Sequence, residues 1–163
     1  MALTLEDQVL VWQRVEKALQ AQNATKVAQE AFKALKENLV ARGIAQLQFI
    51  PFSDISTADP GIDQDTGYSP IGAVASTVYA LFVKKGSTAT DSYVRLYNQT
   101  SNTTITLAFV SLILAVAGDE AFSTYPKGLI FGTDLTISAD TGAGAGTEST
   151  AGDAGNGFVL IGA

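Results

Sequence analysis

The chain contains no cysteine and no histidine, and only 16% of its 163 residues are charged. Without cysteine it can form no disulfide framework, thiol nucleophile or iron–sulfur cluster. Without histidine it can form neither a Ser-His-Asp relay nor a His-Glu-x-x-His zinc site. These absences exclude the common designs of hydrolases and metalloenzymes. We therefore expect a protein that is not an enzyme, with no catalytic residues, no cofactor and no metal site.

Three motifs resemble sites of chemistry, and an ordinary turn or loop explains each of them better. The glycines of residues 142–146 are too closely spaced for a dinucleotide-binding fingerprint, and no apolar helix follows them. The carboxylates of Asp59, Asp63 and Asp65 lack the glycine and glutamate positions of an EF-hand, so an Asx-rich turn is the first interpretation and cation binding the alternative. Residues 118–120 predict a hairpin turn rather than an acid–base pair.

Acidic residues outnumber basic ones, and the formal net charge is −6. The surplus is confined to residues 44–163, which carry a net charge of −7, whereas residues 1–43 carry +1. The basic residues of the first part alternate with glutamates, as on a solvated helix face. A negative chain repels phosphate backbones, so no nucleic-acid partner is expected.

Long hydrophobic runs are also missing. The most apolar run, residues 105–117, is shorter than the roughly 20 residues that a transmembrane helix needs. The first residues lack the basic and apolar regions of a secretory signal. We expect no membrane partner and interpret residues 105–117 as a buried element.

Residues 4–42 have the composition and spacing of helices. Two apolar stripes occur, and they do not share a phase: Leu5, Val9, Trp12, Val15 and Leu19 form the first, and Ala28, Phe32, Leu35 and Leu39 the second. A polar stretch, residues 22–25, separates them. Two helices or one kinked helix are favoured over a single helix that changes partners, with Thr25 as the second N-cap. Thr4 and Asp7 suggest a capping box, and Gly43 is a natural stop.

From residue 44 onward, short β-rich runs alternate with turn signals, which is typical of an all-β sandwich or barrel. About eight strands are predicted, which is the number in a jelly roll. The fold class predicted is mainly β, a jelly-roll-like antiparallel β-sandwich with an N-terminal α-helical segment. The domains are a helical segment, 1–43, and a β-sandwich, 44–163. The predicted strands are 44–50, 73–84, 92–98, 103–116, 119–124, 128–132, 134–139 and 157–162.

Some predicted strands are apolar on both faces. In residues 73–84, one face would consist of Val74, Val78, Ala80 and Phe82, and the other of Tyr79, Leu81 and Val83. A sheet that is apolar on both faces needs a second cover, either from the N-terminal helices or from neighbouring subunits. We favour neighbouring subunits and keep the chain's own helices as the alternative. The candidate interface residues are Trp12, Phe32, Leu35, Leu39, Phe109, Leu112 and Leu114.

Two segments carry a resemblance to a known group. Residues 74–98 end in Tyr93-Val-Arg-Leu-Tyr-Asn98, and residues 122–142 contain Pro126-Lys-Gly-Leu-Ile-Phe131. Both are similar to small β-sandwich proteins of tailed-bacteriophage virions, in which a Gly/Ala-rich loop also precedes a short final strand. The resemblance covers residues 73–163 and departs from the group at Asp134, where glycine is frequent.

The resemblance implies a capsid decoration, or cement, protein that binds and stabilises the assembled phage head. Its partners would be copies of itself, as a homotrimer, and the major capsid protein. It would be made in the host cytoplasm and located on the capsid surface. One alternative is a head–tail or tail adaptor or fibre-base protein. An alternative of another class is a carbohydrate-binding β-sandwich, whose sugar platform would consist of Tyr68, Tyr79, Tyr93, Tyr97 and Tyr125.

Overall fold

The computed structural model describes residues 5–44, 47–52, 76–84, 92–98, 110–114, 118–132, 135–140 and 156–162. Within these ranges the chain forms two helices followed by seven strands. The helices are α1, Leu5–Ala21, and α2, Lys26–Ala41. The strands are β1, Leu47–Phe52; β2, Ser76–Lys84; β3, Ser92–Tyr97; β4, Val110–Leu114; β5, Glu120–Phe131; β6, Thr136–Asp140; and β7, Asn156–Gly162.

The break between the two helices lies where the polar stretch predicted it. Asn23 adopts a left-handed conformation with φ of 50°, and the amide of Ala24 donates to the Leu19 carbonyl at 2.9 Å. This pattern is a Schellman motif, which satisfies the last carbonyls of α1. Thr25 then caps α2, since its hydroxyl accepts from the Ala28 amide at 3.3 Å. The prediction of two helices with Thr25 as N-cap is confirmed; Thr4 lies outside the described residues.

Gly43 ends α2 as predicted. Its φ of +71° suits glycine, because a side chain in this conformation would be strained. The Ile44 amide donates to the Leu39 carbonyl and the Gly43 amide to the Val40 carbonyl, both at 3.0 Å. A second Schellman motif therefore turns the chain from α2 towards β1.

The strands form two antiparallel sheets. One has four strands in the order β1-β7-β2-β5, and the other has three in the order β4-β3-β6. Every described pair is antiparallel. The coarse prediction, a β-rich antiparallel fold that follows two helices, is confirmed.

One predicted break between strands is wrong. Residues 119–124 and 128–132 were expected as two strands, but both belong to β5 and pair with β2. Glu120 lies opposite Lys84 and Phe131 opposite Ser76, with a register shift between these two ends. Gly128, at φ +83°, lets the backbone bend and rejoin the ladder after Pro126, so the turn-forming residues make a bulge instead of a hairpin.

A second bulge changes which side chains share a face of β2. On β7, Ile161 pairs with Val78 and the adjacent Leu160 pairs with Ala80, so Tyr79 is an extra residue. The simple alternation predicted for this strand is therefore wrong at its first half. Val78 lies in the same core cluster as Leu81 and Val83, and Tyr79 in the cluster that contains Ala80 and Phe82.

The four-stranded sheet is covered on both faces by this chain. On one face the two helices pack over Phe82, Phe158 and neighbouring side chains. On the other face Leu96 of β3 and Leu135 pack against Leu81 and its neighbours. For β2 the cover thus comes from the chain itself, which corrects the expectation that neighbouring subunits supply it. The helices and the sheet share a core, and the division into two domains at residue 43 stays a prediction.

The bulge in β5 allows a direct test. A methyl group at Gly128 would clash with Cγ2 of Thr77 and lie 3.3 Å from Cε1 of Tyr79, in a backbone conformation that is strained for alanine. Gly128→Ala should destabilise the fold by about 1–3 kcal/mol in chemical denaturation. Gly132→Ala is the matched control, because no described atom lies within 4 Å of the new methyl group, and its effect should stay within about 0.5 kcal/mol. If Gly128→Ala and Gly132→Ala destabilise the fold equally, the bulge at Gly128 is contradicted.

Candidate functional site

A groove runs between the two helices on the side away from the sheet. Residues of α1 and of α2 line its two sides, and α1 contacts β1 while α2 contacts β5. The groove has a volume of about 410 Å³. Its floor consists of apolar side chains of both helices, namely Trp12, Val15, Leu19 and Phe32. A concave surface with an apolar floor and polar side chains around it is a common form of binding site, so this groove is the candidate binding surface.

Phe32 fixes the floor of the groove to the sheet. Its ring centroid lies 5.4 Å from that of Phe158, 6.1 Å from that of Phe82 and 6.2 Å from that of Phe122. The ring is nearly perpendicular to Phe82, an arrangement that aromatic pairs favour. Because Phe32 is only 2% exposed and belongs to the cluster that joins the helices to the sheet, the floor is part of the helix–sheet core.

Charged side chains of both signs form the rim. The acidic members are Glu16, Glu30 and Glu37, and the basic members are Lys26, Lys33 and Lys36, so the rim is balanced. Lys26 and Glu30 approach to 3.9 Å, with side chains 88% and 67% exposed. A pair this exposed adds little to stability. Among the described residues these rim charges form no network of ion pairs, so the rim is available to a charged partner.

The start of α2 is fastened to the sheet at one end of the groove. The backbone amide of Thr25 donates to both carboxylate oxygens of Glu120, at 3.1 and 3.0 Å, and the Thr25 hydroxyl donates to the same group. Lys84, the cross-strand neighbour of Glu120, donates to the Asn23 carbonyl at 2.9 Å. A carboxylate at a helix N-terminus satisfies free amides and favours the helix dipole. Glu120 therefore orients α2.

The other end of α2 is also fastened to β5. The guanidinium of Arg42 donates to the Pro126 carbonyl, at the bulge. It also lies 3.4 Å from Oδ1 of Asn38. Since both ends of α2 contact β5, the wall of the groove that α2 forms keeps a defined position.

The predicted interface residues occupy different places. Trp12 and Phe32 line the groove, while Leu35 and Leu39 lie in the helix–sheet core; all four are buried by this chain. Leu112 and Leu114 lie in β4, which pairs with β3. Phe109 lies outside the described residues, and the interface role of the seven stays a prediction.

The exposed apolar side chains differ from those seven. Val9 was expected to be buried in the first helical stripe but is 50% exposed, and Val11 is buried instead. The apolar spacing alone does not show which of the two is buried, because Val9 and Val11 both belong to one continuous apolar run, residues 9–12. The large exposed apolar side chains of the described residues are Val9, Leu10, Val27, Val40 and Ile130.

Other candidate sites find little support in the described part of the chain. There, no group of three or more Asp or Glu side chains could hold a metal ion. The carboxylates of Asp59, Asp63 and Asp65 and the glycines of residues 142–146 lie outside it. Of the tyrosines suggested for a sugar platform, Tyr79 is buried and Tyr125 is half-buried. None of the helices described is long and apolar enough to cross a membrane.

Comparison with known proteins assigns no family. No protein-family model matches the chain, and no curated protein matches it. A function therefore has to be argued from the residues, the sheets and the groove described above.

The interaction between Thr25 and Glu120, which attaches α2 to β5, can be measured by a double-mutant cycle. Thr25→Ala and Glu120→Gln should each destabilise the fold by about 1 kcal/mol, since each removes part of the cap. The double variant should lose less than the sum by about 0.5 kcal/mol or more, because the two groups bind each other. Glu16→Gln, which removes an exposed charge on α1, should change stability by less than about 0.5 kcal/mol. Strict additivity of the Thr25 and Glu120 variants would contradict the contact.

Proposed function

We propose that the chain is a structural virion protein that decorates and stabilises the assembled head of a tailed bacteriophage. In this proposal it acts without chemistry, as a homotrimer on the capsid surface, and binds the major capsid protein. The observation that supports the proposal is that the segments with the resemblance coincide with strands of the two sheets. Residues 74–98 contain β2 and β3, residues 122–142 contain most of β5 and all of β6, and β7 stands where the group has its short final strand.

The finer fold, a jelly-roll-like β-sandwich, is part of the same proposal. Jelly rolls are built from strands B to I, which pair in the orders B-I-D-G and C-H-E-F. If β1 is strand B and β2 is strand D, the sheet β1-β7-β2-β5 follows the first order. The sheet β4-β3-β6 then follows the second order as F-E-H, with strand C left unassigned. This agreement of strand order supports a jelly roll.

The charge distribution and the helices fit a decoration role. A protein that binds an assembled shell in preference to its free subunits stabilises the shell by mass action. The net charge of −7 on residues 44–163 would keep decorated particles apart in solution. The helical segment has a net charge of +1 and a groove with a charged rim, and is suited to contact a neighbouring subunit or the capsid.

Mass measurement and particle imaging test the proposal. The purified full chain should have three times its 17.0 kDa mass and should remain on expanded, emptied heads of the encoding phage after sedimentation. Unexpanded heads are the matched control and should retain less. Imaging should show many copies spread over the shell. A strict monomer that does not bind heads would contradict the proposal, and a single ring of copies at one vertex would replace it with the head–tail alternative.

A glycan array addresses the alternative of another class. If the chain binds no sugar there while it binds heads, the carbohydrate-binding interpretation is removed. Sugar binding without head binding would overturn the decoration role.

A further inference from the structure

The face of α2 that points away from the sheet carries a line of alternating charges. Lys26, Glu30, Lys33 and Glu37 are all exposed and all line the α2 wall of the groove. At 3.6 residues per turn they fall within about 60° of one another around the helix axis. The buried side chains of α2 lie on roughly the opposite side; they are Ala28, Phe32, Leu35 and Leu39.

The order of these charges places opposite signs opposite each other when two copies of α2 lie antiparallel. The line reads Lys, Glu, Lys, Glu, and its centre lies between residues 31 and 32. If a second copy of α2 lies antiparallel beside the first, Lys26 faces Glu37 of that copy and Glu30 faces Lys33. By symmetry the same two pairs form again. A two-fold axis at the centre therefore places four opposite-charge pairs directly opposite each other. Glu30 and Lys33 also lie about 4.5 Å along the helix axis from their own copies, so some like-charge repulsion offsets these pairs.

Within a single helix the same order is less favourable than its reverse would be. Lys26 stands at the positive N-terminal end of α2 and Glu37 stands towards its negative C-terminal end, and the first turn has no acidic residue and the last no basic one. Both i, i+4 pairs have lysine before glutamate, the weaker of the two orientations. In an antiparallel pair the helix dipoles run in opposite directions. Lys26 then lies beside the negative end of the second helix, so its interaction with a helix dipole, unfavourable within one helix, becomes favourable between two.

We propose that α2 is a self-docking surface, on which a second copy of this chain binds antiparallel through Lys26, Glu30, Lys33 and Glu37. The proposal does not depend on the virion role. In a decorated shell, the contact would join α2 helices of neighbouring subunits.

The contact is expected to be weak between free molecules. A helix of 16 residues is about 24 Å long, and one such helix pair buries less than the roughly 1,200 Å² of a stable interface. Exposed ion pairs also add little each and are screened by salt. Association should therefore appear at high protein concentration and low ionic strength, or where an assembly holds the copies close together.

Charge-reversal variants of the full chain test the proposal. Lys26→Glu with Lys33→Glu makes the line wholly acidic, and Glu30→Lys with Glu37→Lys makes it wholly basic. Sedimentation velocity at low salt should show each variant alone associating at least about tenfold more weakly than the original chain. An equimolar mixture of the two should associate at least as tightly as the original. No mixed association, or unchanged association of either variant alone, would overturn the proposal.

A variant with all four charges reversed completes the test. It keeps the net charge and the self-complementary order, so it should associate with itself, but it should not associate with the original chain. Arg14→Glu with Lys17→Glu is the matched control, because it changes the net charge as the acidic variant does, and both residues are exposed on α1 and lie outside the groove lining. Circular dichroism checks that each variant is folded. The readout is a doubling of the mass of the smallest species, whether that species is a monomer or a trimer. Failure of the capsid role and failure of this contact can therefore be distinguished.

Discussion

The structure depends on covering both faces of one apolar sheet. In β2, six consecutive residues, 78–83, are buried, and their side chains enter two cores on opposite faces. A strand with this pattern cannot leave either face in water, since each buried aromatic or aliphatic side chain contributes about 1.5–3 kcal/mol. The helices are therefore part of the minimal fold, and their contact with the sheet constrains the rest of the chain.

That constraint explains how the helical hairpin is attached. Phe32 packs among Phe82, Phe122 and Phe158, which sets the depth of α2 above the sheet. Glu120 and Arg42 fasten the two ends of α2 to β5, which sets its direction. With its apolar face used in this way, α2 presents a charged face outward. The proposed contact with a second copy and the proposed decoration role both use this surface, which the fold holds rigidly.

Local signals predicted the local features. The break between the helices, the Thr25 cap and the Gly43 stop depend on residues a few positions apart, and they were confirmed. The bulges at Tyr79 and before Gly128 depend on how three strands pair, so alternation along one strand could not reveal them. Glu120 lies 95 positions from Thr25, and its sequence context predicts only a turn. The groove was not predicted, because its walls require the relative placement of two helices; Trp12 and Phe32, which line it, were expected only as interface residues.

Hydrogen exchange of the full chain, followed by mass spectrometry at low and high protein concentration, tests the central claim most directly. If the chain covers its own sheet, peptides from β2 and β7 should exchange only through global unfolding, and their protection should be the same when the protein is dilute and dissociated. Rapid exchange of β2 in dilute protein, with protection only after association, would contradict the account. The cover would then come from neighbouring copies.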